Sequence, residues 1–421
     1  MHSATSLASE INNQLPAAVT GFLKLAGSIA QSQGQNLYLV GGVVRDILLG
    51  RANLDLDLVV DRDAAELLSA LTEITGGKVT AHPQFRTAKL KWDTNSTDIT
   101  TARTETYDRP GALPRVKPGT LSDDLFRRDF TINAMAIHLN PGDYGKLVDL
   151  YGGRTDLKNG LVRVLHEKSF TDDATRIWRG LRYEQRLGFH LEAATLKLLR
   201  RDIPMLKTIT GERIRYELEC IFQEAYPENV LSRAQELNAL TSLGQALKGD
   251  DWLKDKFKLA RRESKPDPPS FALYLALLLF RLTVEDTERL ISYLRPSKPV
   301  VRVVRETQVI KTLLPTLAEP DIPASRIYRA LHSYSPSAAT AASTASNSPV
   351  ASRHIELYLS RLRHVRPGLN GNDLIALGVT PGPQIKKALG LLLEARLDGK
   401  AGSRNDEVAM VREQLAANHF M

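Results

Sequence analysis

The sequence predicts an α/β N-terminal head, with a mixed sheet and helices, followed by an all-α remainder. Strand-like and helix-like segments alternate up to about residue 165, whereas beyond it apolar residues recur at helical spacing. Apolar residues make up 43% of the chain and charged residues 25%, as is typical of folded domains. No apolar run reaches the roughly 18 residues of a membrane span. The longest run, residues 271–282, predicts a buried core helix.

The helices, strands and loop of the head are predicted from the spacing of apolar residues and from the positions of Gly and Pro. Residues 1–33 favour helices, and Gly41-Gly42 interrupts the chain before a short helix over residues 43–49. Residues 104–119 are rich in Pro and Gly and predict a mobile loop. Apolar or alternating segments predict strands over residues 37–40, 54–60, 88–92, 97–101, 132–139 and 147–150.

The remainder is predicted to consist of helical parts in series. Residues 333–352 are rich in Ser, Ala and Pro and predict a flexible connection. The expected domains are a head over 1–165, a helical neck over 166–230, a helical body over 231–335, and the connection with an RNA-binding helical tail over 336–421.

The excess of positive charge lies outside the head. The net charge is +8, and residues 1–165 hold 18 basic and 18 acidic side chains, so residues 166–421 carry the whole excess. A neutral part before a basic one is typical of a catalytic unit joined to a polyanion-binding one, with a generally basic surface as the alternative.

Cys220 is the single cysteine, which excludes an intrachain disulfide. No signal-peptide pattern is evident, so we expect a cytoplasmic protein.

Two carboxylates in one strand are the first sign of chemistry. Asp55 and Asp57 alternate with leucines, so both project from one face of the predicted strand. Like charges held together favour a bound cation, and Mg²⁺ prefers oxygen ligands. Asp98, in a second predicted strand, is a candidate third carboxylate, and three carboxylates are able to hold two Mg²⁺ ions for phosphoryl transfer. The alternative is a solvated strand face.

A glycine pair lies just upstream, between a strand and a helix. Gly41 and Gly42 allow backbone N–H groups to approach a triphosphate, and Arg45 adds a forked cation. The alternative is a tight turn followed by a surface arginine.

A row of charges at three-residue spacing follows the head. Asp173, Arg176, Arg179 and Arg182 form one ridge of a predicted helix, with Thr171 as its N-cap. An Asp accepts from a base amino group, and an Arg donates to ring or phosphate acceptors. The alternative is a salt-bridged, solvated face.

Six motifs occur in a familiar order. They are LYLVGGVVRDILLG, NLDLDLVV, RRDFTINAMAI, LVDLYGGRTDL, DDATRIWRGLRYEQRLGF and GERIRYEL. Over about residues 37–222 the chain resembles the class II tRNA nucleotidyltransferase and bacterial poly(A) polymerase family. The resemblance implies a polymerase-β-like nucleotidyltransferase fold for the head. It also implies the tRNA 3′ end as partner, CTP and ATP as substrates and Mg²⁺ as cofactor, with no membrane or stable protein partner.

The resemblance also assigns roles at the matching positions. Asp55 and Asp57 would bind the metal, with Asp98 as the third catalytic carboxylate. Asn133 would support the sugar or the strand geometry, while Glu212 and Arg213 would brace the neck helices. Nucleotide contacts are implied for Gly42, Arg45, Arg128, Asp173, Arg176, Arg179 and Arg182. Within that set, the first Asp-Arg pair of the row would select the base and the last two arginines would hold the triphosphate.

Three functions remain open at this point. We expect addition of CMP and AMP to the 3′ end of tRNA, that is, complete CCA addition. The second is a near relative that adds only A, only CC, or poly(A), because the wording of residues 102–116 (ARTETYDRPGALPRV) also resembles A-adding members. The third is a non-catalytic RNA-binding protein, which the intact motifs argue against.

Overall fold

A boundary between Ser242 and Leu243 divides the chain into two units. The computed structural model describes residues 6–82 and 87–417. The expected fold class is confirmed, because strands and helices mix in the first unit and the second is helical. The expected finer division at residues 165, 230 and 335 stays a prediction.

A seven-stranded mixed sheet forms the centre of the first unit in the described residues. Its strands are β1 Leu37–Val40, β2 Leu56–Val60, β3 Lys78–His82, β4 Thr87–Trp92, β5 Asn95–Thr101, β8 Met135–His138 and β9 Leu147–Asp149. The strand order is β3-β4-β5-β2-β1-β8-β9, and within the sheet β2 and β5 pair in parallel while the other neighbours are antiparallel. All four residues of β1 are buried, as an apolar run in the middle of a sheet requires.

Two smaller strand pairs lie outside this sheet. In the parallel pair, β10 is Leu161–Val162 and β11 is His190–Leu191. In the antiparallel pair, β6 is Arg103–Thr106 and β7 is Arg115–Pro118. The prediction of a mobile loop over 104–119 is therefore wrong at both ends. The β-branched Thr104, Thr106 and Val116 favour extended backbone, and three of the five Pro and Gly residues lie in the segment 107–114 between the strands.

The helices of the first unit cover the sheet and continue beyond it. They are α1 Ala8–Gln14, α2 Ala17–Ser32, α3 Gly42–Leu48, α4 Ala64–Thr75, α5 Leu121–Phe126, α6 Gly153–Lys158, α7 Ser169–Asp172, α8 Thr175–Leu187, α9 Ala193–Asp202, α10 Gly211–Phe222 and α11 Pro227–Glu236. Helix α2 is anchored to the sheet by Phe22, whose ring stacks on Trp92 at 3.9 Å. Its Gly27 is required there, because a Cβ at that position would lie 1.9 Å from the carbonyl oxygen of Leu139.

The second unit consists of helices in its described residues. They are α12 Asp251–Glu263, α13 Phe271–Leu279, α14 Val284–Leu294, α15 Lys298–Leu317, α16 Ala324–Leu331, α17 Pro336–Ala345, α18 Pro349–Ser360, α19 Gly371–Ala376, α20 Pro383–Leu397 and α21 Arg404–Ala416. The prediction of a core helix over 271–282 is confirmed, because seven of the nine residues of α13 are buried. None of the helices described in either unit is long and apolar enough to cross a membrane.

The Ser/Ala-rich stretch 333–352 belongs to the core of this unit, so the prediction of a flexible connection is wrong. It forms most of α17 and the start of α18, and α17 packs against α13, α15 and α18. Ser335 and Ser348 cap the two helices by accepting from backbone N–H groups. Alanine has the highest helix propensity, and its small side chain permits close helix packing. The composition that suggested a linker therefore builds a buried helix.

A charge placed in α17 tests this correction. Ala341 is fully buried, whereas Ser337 in the same helix is exposed. We expect Ala341→Asp to lower the free energy of unfolding of the full chain by at least about 3 kcal/mol, because it overpacks the core and buries an unpaired charge. Ser337→Asp should change it by less than about 0.5 kcal/mol. Equal urea midpoints for the two variants would restore the linker interpretation.

Candidate active site

A polar cleft of about 560 Å³ in the first unit gathers the predicted site residues. Its walls come from the start of α3, the β1–β2 edge, the turn after α5, and helices α8 and α10. Of the predicted set, Gly42, Arg45, Asp55, Asp57, Arg128, Asn133, Asp173, Arg176, Arg179 and Arg182 line it. Asp98 does not.

The carboxylates meet at the edge of β2. Asp57 lies in the strand with buried Leu56 and Leu58 on the opposite face, while Asp55 immediately precedes the strand and is exposed. Within the described residues, neither carboxylate accepts a hydrogen bond or forms an ion pair. Burial, only partly offset by Arg128 and reinforced by Asp55 and other acidic neighbours, raises the pKa of Asp57 to about 6. Among the described residues, Arg128 therefore compensates this anion only in part.

Asp98 faces a different partner. It is the in-register neighbour of Asp57 in the parallel β2–β5 pair, but its carboxylate lies 3.3 Å from Nζ of Lys89. Within residues 6–82 and 87–417, no three His, Cys, Asp or Glu side chains are grouped so that they could hold a metal ion. The role of Asp98 as third carboxylate stays a prediction.

The glycine pair allows an arginine to approach the carboxylates. Gly41 has φ of 82°, and a Cβ there would lie 2.7 Å from Nη1 of Arg128 and 3.4 Å from Oδ2 of Asp57. The interpretation of Arg45 as a surface arginine is wrong, since it is 3% exposed. Its guanidinium donates to both oxygens of Asp46 at 2.8 Å and to Oδ1 of Asn133 at 2.7 Å.

Asp173 lies at a break between two helices rather than inside one. Helix α7 ends at Asp172 and α8 begins at Thr175, so the prediction of Thr171 as N-cap is wrong. Oδ1 of Asp173 accepts from the backbone N and Oγ1 of Thr175 at 3.0 and 2.7 Å and from Nη2 of Arg213 at 2.8 Å. Oδ1 of Asp173 thus accepts from the first backbone N–H of α8, although Ala174 holds the cap position, and within the described residues Oδ2 of Asp173 accepts no hydrogen bond.

The arginine row is largely buried, which argues against a solvated face. Arg176, 5% exposed, donates to Oγ of Ser169 at 2.8 Å and to the carbonyl of Arg127 at 2.6 Å. Arg179 donates through Nε and Nη2 to Oδ2 of Asp129, at 2.9 and 2.6 Å. Burial disfavours the Asp129 anion, but Arg179 and the hydrogen bonds outweigh that effect and lower its pKa to about 2.

Arg182 differs from the other two arginines. It is 6% exposed, and within the described chain its guanidinium donates no hydrogen bond. Glu224 and Glu217 lie 3.5 and 3.8 Å away, beyond good hydrogen-bond length, and the guanidinium sits over the ring of Tyr183. A buried guanidinium with unmet donors calls for an anionic acceptor. Arg182 is therefore the best-defined anion-binding group of the cleft.

Comparison with known proteins identifies the family. Residues 37–163 match the model described as "Poly A polymerase head domain", and residues 188–247 match "Probable RNA and SrmB- binding site of polymerase A". An A-adding tRNA nucleotidyltransferase of Halalkalibacterium halodurans is 33% identical, over 93% of this chain and 91% of its own length. The chain belongs to the tRNA nucleotidyltransferase and poly(A) polymerase family.

Two further members of the family extend the comparison. An A-adding tRNA nucleotidyltransferase of Geobacter sulfurreducens is 32% identical over 94% of this chain. The matched part covers 47% of the length of the Geobacter protein. A solved Thermotoga maritima CCA-adding enzyme, complexed with tRNA, is 30% identical and superposes with a TM-score of 0.81 over 98% of this chain and 99% of its own.

Several groups of this nucleotidyltransferase site were missed in the sequence. Asp129 lies in the RRDF motif beside Arg128, so its motif was a signal. Arg213 was assigned a bracing role, yet it contacts Asp173 directly. Tyr183 carried no charge pattern, although the guanidinium groups of Arg45, Arg179 and Arg182 surround its ring at 5.2 to 5.6 Å. Glu105 bridges Arg103 and Arg127 at 3.0 and 2.9 Å.

The raised pKa of Asp57 predicts a pH-dependent stability. The folded state holds this proton more tightly than the unfolded chain, so stability is lost as pH rises from about 4 through the folded pKa of about 6. At about 1.4 kcal/mol per pH unit, the rise from 3.8 to about 6 corresponds to about 3 kcal/mol. In the presence of a chelator, wild type should lose up to that amount relative to Asp57→Asn between pH 4 and pH 7. If the free energies of unfolding of wild type and Asp57→Asn, measured in urea, changed with pH in the same way, the prediction would be contradicted.

Proposed function

We propose that this nucleotidyltransferase adds CMP and AMP to the 3′ end of tRNA, completing CCA from CTP and ATP without a nucleic-acid template. The observation that carries the proposal is the composition of one cleft. Within the described residues it combines two carboxylates that accept no hydrogen bond, a buried Arg182 guanidinium that has only long contacts to Glu217 and Glu224 and no acceptor for its Nε, and an oxygen of Asp173, Oδ2, that accepts no hydrogen bond. The similarity to the Thermotoga maritima CCA-adding enzyme over nearly the whole chain supports the same function.

Asp55 and Asp57 suit a divalent cation, and Mg²⁺ is the ion we propose. Their oxygens are hard ligands, and the burial of Asp57 without a partner leaves a charge for a cation to neutralise. When bound there, Mg²⁺ would supply Lewis-acid stabilisation of the transferring phosphoryl group.

The remaining groups of the cleft position the nucleotide. The reaction joins the RNA 3′ oxygen to the α-phosphorus and breaks the bond to the leaving pyrophosphate. Arg182, with Arg128 and Arg179, would bind the triphosphate and the developing charge on the leaving group. These arginines approach from the turn after α5 and from α8, so they fix the phosphate chain relative to the β2 carboxylates.

The unused oxygen of Asp173 accounts for the choice of C and A. Cytosine N4 and adenine N6 are amino donors, whereas guanine O6 and uracil O4 are acceptors at the equivalent edge. A carboxylate oxygen in this place favours both amino-bearing bases and rejects the other two. Asp173 by itself does not distinguish C from A, so their order depends on the rest of the pocket.

Addition of A alone is the second candidate. It is favoured by the 33% identity to the Halalkalibacterium halodurans protein, which is named an A-adding enzyme. The same Asp173 geometry suits adenine, so the cleft is compatible with either reaction.

Product sequencing on tRNA transcripts lacking CCA, CA or A separates the candidates. We expect the first transcript to gain three nucleotides with CTP and ATP present. Asp55→Asn and Asp57→Asn should reduce incorporation by several orders of magnitude while the fold is kept, because Asn loses the charge that holds the cation. One A added to the CC-ending transcript alone would establish the A-adding function, and long A tails a poly(A) polymerase. Wild-type activity in both Asn variants would exclude catalysis at this cleft.

Two arginines of the row should have different roles: we expect Arg176 to affect the choice of base and Arg182 to affect the binding of the triphosphate. Arg182→Ala should raise the KM for CTP and ATP together by about 10-fold or more, since charged hydrogen bonds contribute about 1.5–3 kcal/mol and phosphate contacts carry no base information. Arg176→Ala should instead lower the preference for ATP over GTP, measured as a ratio of kcat/KM. An equal loss for all four nucleotides in Arg176→Ala would show that this residue does not select the base.

A further inference from the structure

A second cavity of about 280 Å³ adjoins the cleft. We call it the side pocket; Glu105, Tyr107, Arg127 and Arg176 line both cavities. It is smaller than the roughly 300–1,000 Å³ typical of pockets that enclose a whole small ligand. Its size therefore suits a single ring system whose remaining atoms lie outside.

One wall of the side pocket is aromatic. Phe126, the last residue of α5, is 43% exposed although it is large and apolar. Its ring lies 5.1 Å from that of His166, with 32° between the planes, and 5.6 Å from that of Tyr151. Burial and the neighbouring Arg176 lower the pKa of His166, which favours the neutral form of its ring. The pocket thus presents a neutral, partly exposed stacking surface.

The polar groups of the side pocket suit a base and not a phosphate. Arg127 and Arg176 already donate to Asp124, Glu105, Ser169 and a backbone carbonyl, so their cationic groups are engaged. The carboxylate of Asp172 accepts no hydrogen bond within the described chain. Asp172 and Asp173 belong to different cavities, with Arg176 lining both. Each of the two cavities therefore has a carboxylate that is able to accept a hydrogen bond from the amino group of a base.

We propose that the side pocket binds one unpaired base of the acceptor RNA, close to its 3′ end, stacked on Phe126. The inference rests on the proposed function, because it assigns the acceptor strand of that reaction. Aromatic stacking is the usual way in which proteins hold unpaired bases, and it tolerates different bases. An acceptor whose terminal base changes at each addition requires that tolerance. The cleft next to it keeps the Arg182 guanidinium, whose Nε has no acceptor within the described residues, for a triphosphate.

The test uses fluorescence of 2-aminopurine, which is quenched when the base stacks. Probes are RNA minihelices with an unpaired 3′ tail, each carrying 2-aminopurine at one position of the tail or in the duplex. With the full-length protein we expect a binding-induced change of emission at one tail position and none in the duplex. Phe126→Ala should abolish this change and weaken binding about 10-fold, whereas Phe126→Trp should retain both.

Matched controls separate stacking from other effects. Ile74→Ala removes a side chain that is 57% exposed on α4 and should leave both the emission and the affinity unchanged. Saturating ATP or CTP should not displace the stacked base. An unchanged emission in Phe126→Ala, an equal response at every tail position, or displacement by the nucleotide would each overturn the proposal. No turnover is needed, so a failure of nucleotide addition in the product assay is a separate result.

Discussion

The carboxylate of Asp129 is the constraint on which the cleft depends. It is buried, and it accepts from both Arg179 on α8 and Asn133 in the turn after α5. Asn133 in turn accepts from Arg45 on α3. Three walls of the cleft are thereby joined through one charge. Removing one member of a buried pair typically costs about 3–5 kcal/mol, because the other charge is left without a partner.

The charged groups of the site differ in how far other described residues compensate them. Asp124 is buried with Arg127 and Arg128 bonded to it, and these arginines outweigh the effect of burial and lower its pKa. Arg182 is buried and Asp57 is half-buried, and within the described residues neither has hydrogen bonds of that kind. A low-dielectric environment makes an incompletely compensated charge costly, so its retention favours a role in binding a ligand of opposite charge.

The β6–β7 hairpin shapes both the cleft and the side pocket. The β6–β7 hairpin is anchored at Glu105, which accepts from Arg103, Arg127 and the hydroxyl of Tyr107. Tyr107 lines both the cleft and the side pocket. A shift of residues 107–114 would therefore change the shape of both cavities. In the proposed reaction a single acceptor at Asp173 would admit two bases, and the hairpin lies where it would affect the choice between them.

The sequence by itself determined the elements whose signal is local. The alternation of polar and apolar residues in β2 placed Asp57 on one face of the strand and the buried Leu56 and Leu58 on the other. An apolar run predicted α13, and the three-residue spacing placed Arg176, Arg179 and Arg182 on one helix. The ordered motifs predicted the head and the family. These features depend on strand and helix periodicity, which a few neighbouring residues specify.

The partners of those residues were decided only by the tertiary structure. Arg179 pairs with Asp129 from 50 positions away and Arg45 with Asn133 from 88, while Asp98 faces Lys89. The alanines of residues 333–352 entered the core because α17 packs against three neighbouring helices and the small side chain permits a close approach. Periodicity specifies the face on which a side chain lies, but the group opposite it comes from a distant part of the chain. Which charges are satisfied, and which remain for a ligand, therefore follows from packing alone.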